Sequence, residues 1–248
     1  MGSTLNELRR LQDVELQLAS IRRNRDGKVR RVEVHQNRVR QFETRLDENR
    51  KAIRAQQMKI DELTLDVVSR EDSVDKHRQA LNKAKTNKEY AAILTAMNTE
   101  KADTEKVETA VLQLMEEMNK IKSDGAALEA EREKTLADMA AAEQVLQTYD
   151  SQSKAEKDRL TSERSKIGAG IEPQAMVTFD RTAQRHEGEA MAAVVKLRAK
   201  GDEWACGGCN LKITLDMVNA LATRDEVRLC GACGRILYIE QGAVKAKA

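Results

Sequence analysis

Proline is nearly missing from this chain, and its one occurrence is Pro173. Residues 4–167 hold no proline and two glycines, Gly27 and Gly125, while nine of the twelve glycines lie at or after Gly168. That absence of helix breakers excludes a loop-rich fold over the first two thirds of the chain. Aromatics are as scarce: 2% of residues, namely Phe42, Tyr90, Tyr149, Phe179, Trp204 and Tyr238. A single thick core is therefore not expected, and long helices are. No apolar run is long enough to cross a bilayer, and the N-terminus lacks the apolar segment of a signal peptide, so we expect no membrane span and a cytoplasmic location. The net charge of +2 gives no bulk attraction to nucleic acid. Nucleophile–base motifs, Gly-rich phosphate loops and acid pairs at a telling spacing are absent, so neither an enzyme nor a small-molecule substrate is expected.

What the first two thirds contain is a seven-residue apolar rhythm. One series runs Leu11, Leu18, Arg25, Val32, Val39, Leu46, Ile53, Ile60, Val67, Val74, Leu81; ten of its eleven members are apolar. Its weaker companion is Val14, Ile21, Lys28, His35, Phe42, Asn49, Gln56, Leu63, Arg70, His77. A second frame, out of phase with the first, occupies residues 90–167 from Tyr90 and Met97 through Leu146 to Leu160 and Ile167. A sustained heptad implies a helix pair with left-handed supercoil. His35 and His77 read as interface histidines, and Arg25 and Lys28 as a polar layer in the seam beside Gly27, with a kink, a partner notch or a register-setting defect as its candidate roles.

The break between frames falls at Thr86-Asn87-Lys88-Glu89, the Thr-x-x-Glu pattern of a capping box, with the same signal at Thr4-Leu5-Asn6-Glu7. Two helices of similar length joined near 84–88 predict an antiparallel coiled-coil hairpin over residues 1–167. Charge agrees: residues 22–54 carry twelve bases and five acids, and the stretch folded beside them, 119–151, carries seven acids and four bases. The densest basic run, residues 22–31, then reads as a solvated face paired with the acidic helix rather than as a nucleic-acid patch. Pairing between chains is the competing arrangement, so monomer and homodimer both stay open. Residues 168–188 read as a linker and a short helix that begins at Pro173, ends near Glu187 and stops at Gly188.

The only four cysteines, Cys206, Cys209, Cys230 and Cys233, are spaced Cys-x2-Cys-x20-Cys-x2-Cys. In a reducing compartment that spacing reads as one four-thiolate metal site, with zinc the default and disulfides or a rubredoxin-like iron site the alternatives. Four thiolates leave no open coordination position, so the ion is expected to be structural rather than catalytic. Asn210 and Gly234, each following a Cys-x-x-Cys pair, are the residue types best suited to a left-handed backbone. Strands are expected at residues 190–197, 227–229 and 236–239, which makes residues 189–248 a zinc ribbon. The fold class is thus mainly α, a long coiled-coil hairpin with a short helix and a small C-terminal β ribbon.

Taken with Thr86-Asn87-Lys88-Glu89-Tyr90 at the joint, Gly188-Glu189-Ala190-Met191-Ala192 before the ribbon, Asn219, and Cys230-Gly231-Ala232-Cys233-Gly234-Arg235-Ile236-Leu237-Tyr238, this order of elements resembles the bacterial C4-type zinc ribbon family. Family ribbons often carry a proline in the loop after the first knuckle, whereas residues 211–215 here have none. The resemblance implies an adaptor that binds nucleic acid, DNA or RNA, through the ribbon and other proteins through the hairpin. It also implies links to flagellar or secretion regulation and to an alternative sigma factor. The basic residues available for phosphate contact are Lys196, Arg198, Lys200, Lys212, Arg224, Arg228 and Arg235. Residues 189–248 hold nine bases and seven acids, and a zinc ion with four thiolates adds about −2, so binding would need those bases gathered on one face. A purely protein–protein scaffold or secretion chaperone is the competing function.

Overall fold

The structure, a computed structural model, describes residues 3–197 and 203–240. In chain order the elements are α1 (Ser3–Leu81), α2 (Asn87–Gly168), α3 (Pro173–Arg185), β1 (Met191–Lys196), β2 (Trp204–Cys206), β3 (Lys212–Ile213), α4 (Leu215–Thr223) and β4 (Ile236–Tyr238). The chain is mostly helical with one small sheet, as the composition requires. It divides into two compact units, Val32–Ala142 and a second formed by Met1–Arg31 with Glu143–Ala248.

Within Val32–Ala142, α1 and α2 pair antiparallel along the heptad seam. Val39, Phe42, Leu46, Ile60 and Val74 from α1 are buried, as are Met97 and Met118 from α2. Polar members of the seam are satisfied across it. Asn49 donates to the carbonyl of Ile121 at 2.8 Å, and Gln56 donates to the Glu117 carboxylate at 2.9 Å. Arg70 reaches Glu100 at 3.3 Å, and Arg132 reaches Glu43 at 3.5 Å. Each cross-helix pair straddles the turn nearly symmetrically, so hydrophobic period and charge specify one register. His35 and His77 lie partly buried along the same seam.

Half of the predicted capping box forms at the joint. The Glu89 amide donates to Thr86 Oγ1 at 3.3 Å, but the Glu89 carboxylate accepts from the Lys85 amide at 3.3 Å rather than from Thr86. The carboxylate satisfies a donor one residue further into the turn, where the chain has already left α1.

In the other unit the start of α1 enters the core of the C-terminal module. Leu5, Leu8 and Leu11 are fully buried in one cluster with Phe179, Ala190, Met191, Val194, Trp204, Val218, Leu221, Ile236 and Leu237. The capping expected at Thr4 is supplied from outside the helix: Ser3 Oγ and the Thr4 amide donate to the Asp225 carboxylate at 3.2 and 3.1 Å. Glu7 pairs with Arg10 instead. The polar seam layer is closed by α2, because Arg25 bonds Asp150 at 2.9 Å and the Lys28 ammonium stands 4.4 Å over the Tyr149 ring. α1 runs through Gly27 as helix.

The sheet has the order β3-β2-β1-β4, antiparallel except for the parallel β1–β4 pair. Three sequence expectations need correction here. The strand predicted at residues 227–229 is reduced to one bridge, Leu229 with Ile236, on the edge of β4 opposite β1, since the chain turns into the second knuckle at Cys230. α3 ends at Arg185, and the reversal after it places both Glu187 and Gly188 at positive φ. Helix α4 lies between the knuckles, with Val218 and Leu221 facing the core, where the sequence reading had only a loop at 211–215.

Candidate metal centre

Two turns of the same construction bring the cysteines together. In the first, the Cys206 amide donates to the Leu211 carbonyl at 3.0 Å and the Asn210 amide to the Cys206 carbonyl at 2.7 Å. In the second, the Cys230 amide donates to the Arg235 carbonyl and the Gly234 amide to the Cys230 carbonyl, both at 2.8 Å. Each turn closes only if the residue after its second cysteine has positive φ, and Asn210 (61°) and Gly234 (75°) do, as the sequence indicated.

Donor ligand atoms of the four cysteines all lie within 4.8 Å of one another. Cys206 Sγ is 3.8 Å from Cys233 Sγ, and Cys209 Sγ is 3.6 Å from Cys230 Sγ. All four thiols are free. Zinc–thiolate bonds of about 2.3 Å in a tetrahedron separate neighbouring sulfurs by roughly 3.8 Å, so the arrangement fits a single four-coordinate ion. Sequence spacing alone could not exclude disulfides; in the structure the thiols are free, and each sulfur has a neighbour near the edge length of such a tetrahedron.

The thiols also polarise one another. Burial pushes Cys206 up to about 12. Burial opposes ionisation of Cys230 as well, but the amides of Cys233 and Ala232 and the thiols of Cys209 and Cys233 outweigh it and bring Cys230 to about 7. At Cys209 the Leu211 amide favours the thiolate, yet burial and the thiols of Cys230 and Cys233 raise its pKa overall. Four sulfurs in contact share the first negative charge and resist a second. A cation among them removes that resistance, which is what a four-cysteine donor set is suited to bind.

Around the cluster the structure uses residues that spacing did not reveal. His186, just past α3, donates from Nε2 to the Cys233 carbonyl at 2.8 Å. Gly207 and Gly208 are tight for separate reasons: a Cβ at Gly207 would lie 2.9 Å from the Ala193 carbonyl, and one at Gly208 would lie 2.8 Å from Arg235 Cδ. The early leucines carried a legible signal, since Leu5 and Leu8 sit off the heptad seam and mark a second face to be covered. His186 and Asp225 offered none.

Among the described residues, the bases proposed for phosphate contact do not all share one face. Arg198 and Lys200 lie outside the described residues. Arg235 is turned inward, 14% exposed, and bonds the Glu189 carboxylate and carbonyl and the Gly208 carbonyl, so it ties the two knuckles together. Lys212 pairs with Glu203 at 2.9 Å. Arg224 and Arg228 both converge on Glu226. Strand register sets Lys196 beside Trp204 and Ile213 and sets Lys212 beside Ala205, so the two lysines face opposite sides of the sheet. The Lys196 ammonium stands 5.5 Å over the Trp204 ring, and Trp204 is 4% exposed. Tyr238 lies under Arg9.

No family model matches the sequence, and no curated protein matches it. Solved structures do match the fold. CT398 from Chlamydia trachomatis is 16% identical with a TM-score of 0.75, covering 96% of this chain and 98% of that one. The HP0958 protein from Helicobacter pylori CCUG 17874 is 14% identical with a TM-score of 0.71, again covering 96% and 98%. At that identity the likeness is one of fold: the whole succession of long helices, short helix and small sheet recurs in both.

Proposed function

We propose that this protein is a non-enzymatic adaptor of the C4-type zinc ribbon kind. One structural zinc ion, held by Cys206, Cys209, Cys230 and Cys233, organises the C-terminal module, and the paired helices present side chains to a protein partner. The observation that carries this reading is the closed donor set. Four cysteine sulfurs within 4.8 Å of one another can fill all four positions of a tetrahedral ion and would leave none for water or substrate, so the ion would hold structure rather than perform chemistry. A ribbon too small for its own core gains folding free energy from the metal, and here it also borrows Leu5, Leu8 and Leu11 from α1.

Nucleic-acid binding by the ribbon, implied by the family resemblance, has less support. Its two aromatics face inward, and Lys212, Arg224, Arg228 and Arg235 each have an acidic neighbour. The scaffold form of the adaptor is therefore the better fit. Two measurements on the intact chain test the reading. Purified reduced protein is expected to carry one zinc per chain; metal-free folded protein would sink it. Titration with labelled single- and double-stranded DNA and RNA is expected to show no binding that maps to the ribbon; steeply salt-dependent binding there would reinstate the nucleic-acid function.

A further inference from the structure

The turn between α1 and α2 carries a run of cations with few acids among them. Residues 76–99 hold five cations, Lys76, Arg78, Lys83, Lys85 and Lys88, against one carboxylate, Glu89, a local charge of +4 in a chain whose total is +2. Arg78 is neutralised by Asp75 at 2.9 Å. Lys76, Lys83, Lys85 and Lys88 are exposed and have no ion pair among the described residues. Glu89, the one acid, is committed to the Lys85 amide. Along the seam some cations are met across it by acids, as Arg70 is by Glu100 and Arg132 by Glu43. Among the described residues, the turn lysines have no acid facing them in that way.

An aromatic ring accompanies the lysines. Tyr90 opens the seam series of α2, and the positions that follow it in phase, Met97 and Thr104, are buried. Tyr90 is 49% exposed. The cause is geometric. Cross-helix pairs such as Gln56–Glu117 and Arg70–Glu100 place Tyr90 level with the last residues of α1, which ends at Leu81. A seam residue thus stands at the edge of the facing helix and is covered less than its counterparts. Ala91 and Ala92 beside it are exposed as well.

We propose that Lys83, Lys85, Lys88 and Tyr90 form a docking tip for an acidic protein segment that carries an apolar or aromatic side chain. The lysines attract and orient the acidic residues, and the apolar side chain covers the Tyr90 ring. Single-stranded nucleic acid fits less well, since it is held in cationic grooves with several stacking rings, and this turn offers one ring. The inference rests on the reading of the helices as a partner-binding element and names where on them the partner sits.

The test uses the full-length protein and three fluorescent probes: a short peptide of Glu and Asp interspersed with Leu and Phe and bearing a photo-cross-linker, an acidic peptide of Glu, Asp and Ser, and a short single-stranded DNA. Wild type is expected to bind the first peptide best, with cross-links at residues 82–92 and affinity that falls with salt. Lys83→Glu/Lys85→Glu/Lys88→Glu is expected to weaken it at least roughly tenfold, which is about 1.4 kcal/mol. Tyr90→Ala is expected to weaken the apolar-containing peptide and leave the Glu/Asp/Ser peptide unchanged. Helicity by circular dichroism, with Lys83→Gln/Lys85→Gln/Lys88→Gln as a neutral companion, shows that the variants stay folded. Cross-links elsewhere in Val32–Ala142, with the charge-reversed variant binding normally, would overturn the tip and leave the adaptor reading standing. Failure of wild type to bind either peptide, or preference of the tip for the DNA, would overturn it too.

Discussion

Gln12 grips the backbone of Gly188 across 176 residues of sequence: its Nε2 donates to the Gly188 carbonyl at 2.7 Å. Its Oε1 accepts from the Met191 amide at 3.0 Å, so one buried side chain satisfies both strands of the turn that leads from α3 into β1. The turn comes so near because Gly188, at φ 99°, has no side chain; a Cβ there would meet Ala19 Cβ at 2.6 Å. Replacing Gln12 with Ala strands the buried Met191 amide and leaves the Gly188 carbonyl with the Ala190 amide alone, a loss of about 1–3 kcal/mol. Gln12→Ala should therefore lower the unfolding temperature measurably, and Gly188→Ala should lower it more, since it adds a clash to backbone strain. Melting curves at wild-type values for both variants would mean that this junction does not hold the module to α1.

Trp204 supplies a reporter for the metal. It is the only tryptophan, it is buried, and it lies two residues before Cys206 on β2. Removal of the proposed metal with a strong chelator, or Cys206→Ser/Cys209→Ser, should shift its fluorescence to the red while most far-ultraviolet helical signal remains. The separation is expected because the heptad seam draws on apolar packing rather than on sulfur. Unchanged tryptophan emission in metal-free protein would show that the cluster does not organise the ribbon.

Two glycines in long helices should respond oppositely to alanine. A Cβ at Gly27 meets nothing within 4 Å, whereas one at Gly125 would lie 2.6 Å from Asn49 Oδ1. Gly27→Ala should then stabilise by up to about 1 kcal/mol through helix propensity. Gly125→Ala should show no such gain until Asn49 is also made Ala, when the same gain of about 1 kcal/mol should appear. Equal effects of Gly125→Ala in both backgrounds, read from urea denaturation, would separate Asn49 from the reason for that glycine.

Glu15 sets an acid limit. It is 5% exposed and accepts from Arg22 at 2.5 Å and Arg164 at 2.8 Å. Burial alone would raise its pKa, but the two guanidinium groups hold it below the ordinary value of 4.5. Between the folded value and 4.5 the unfolded chain binds more protons, so stability rises with pH there. The contribution of Glu15 is complete above that ordinary value and is lost as pH falls through the folded one. Glu15→Gln should show a shallower loss of stability in that acid window than wild type. Parallel curves for the two proteins would place the acid sensitivity elsewhere.

Much of the architecture was legible before any coordinates because its causes are local and periodic. Helix breakers excluded until Gly168 require long helices, and ten apolar residues in an eleven-member heptad series require a partner along one seam. Antiparallel pairing followed from the break in phase near Thr86 and the opposed charges of the two arms. The knuckles were equally readable, because two Cys-x-x-Cys pairs followed by Asn210 and Gly234 leave few conformations. Less visible was α4, whose nine residues are too short for periodicity to separate helix from strand. The β1–β4 pairing was hidden too, since a parallel partner 45 residues away leaves no local mark.

By itself the sequence determined the long helices, the seam along them and the four-sulfur donor set, because period, charge and spacing act between near neighbours or along one repeating seam. Tertiary structure alone decided what those parts rest on. It brought Leu5, Leu8 and Gln12 of the first helix into the last module, gave Asp225 the role of capping that helix, turned Arg235 inward, and left Tyr90 half-exposed near the turn. These outcomes depend on which surfaces meet after the chain has closed on itself, and a polar side chain carries no label saying whether its partner will be water, a carboxylate or a carbonyl distant in sequence.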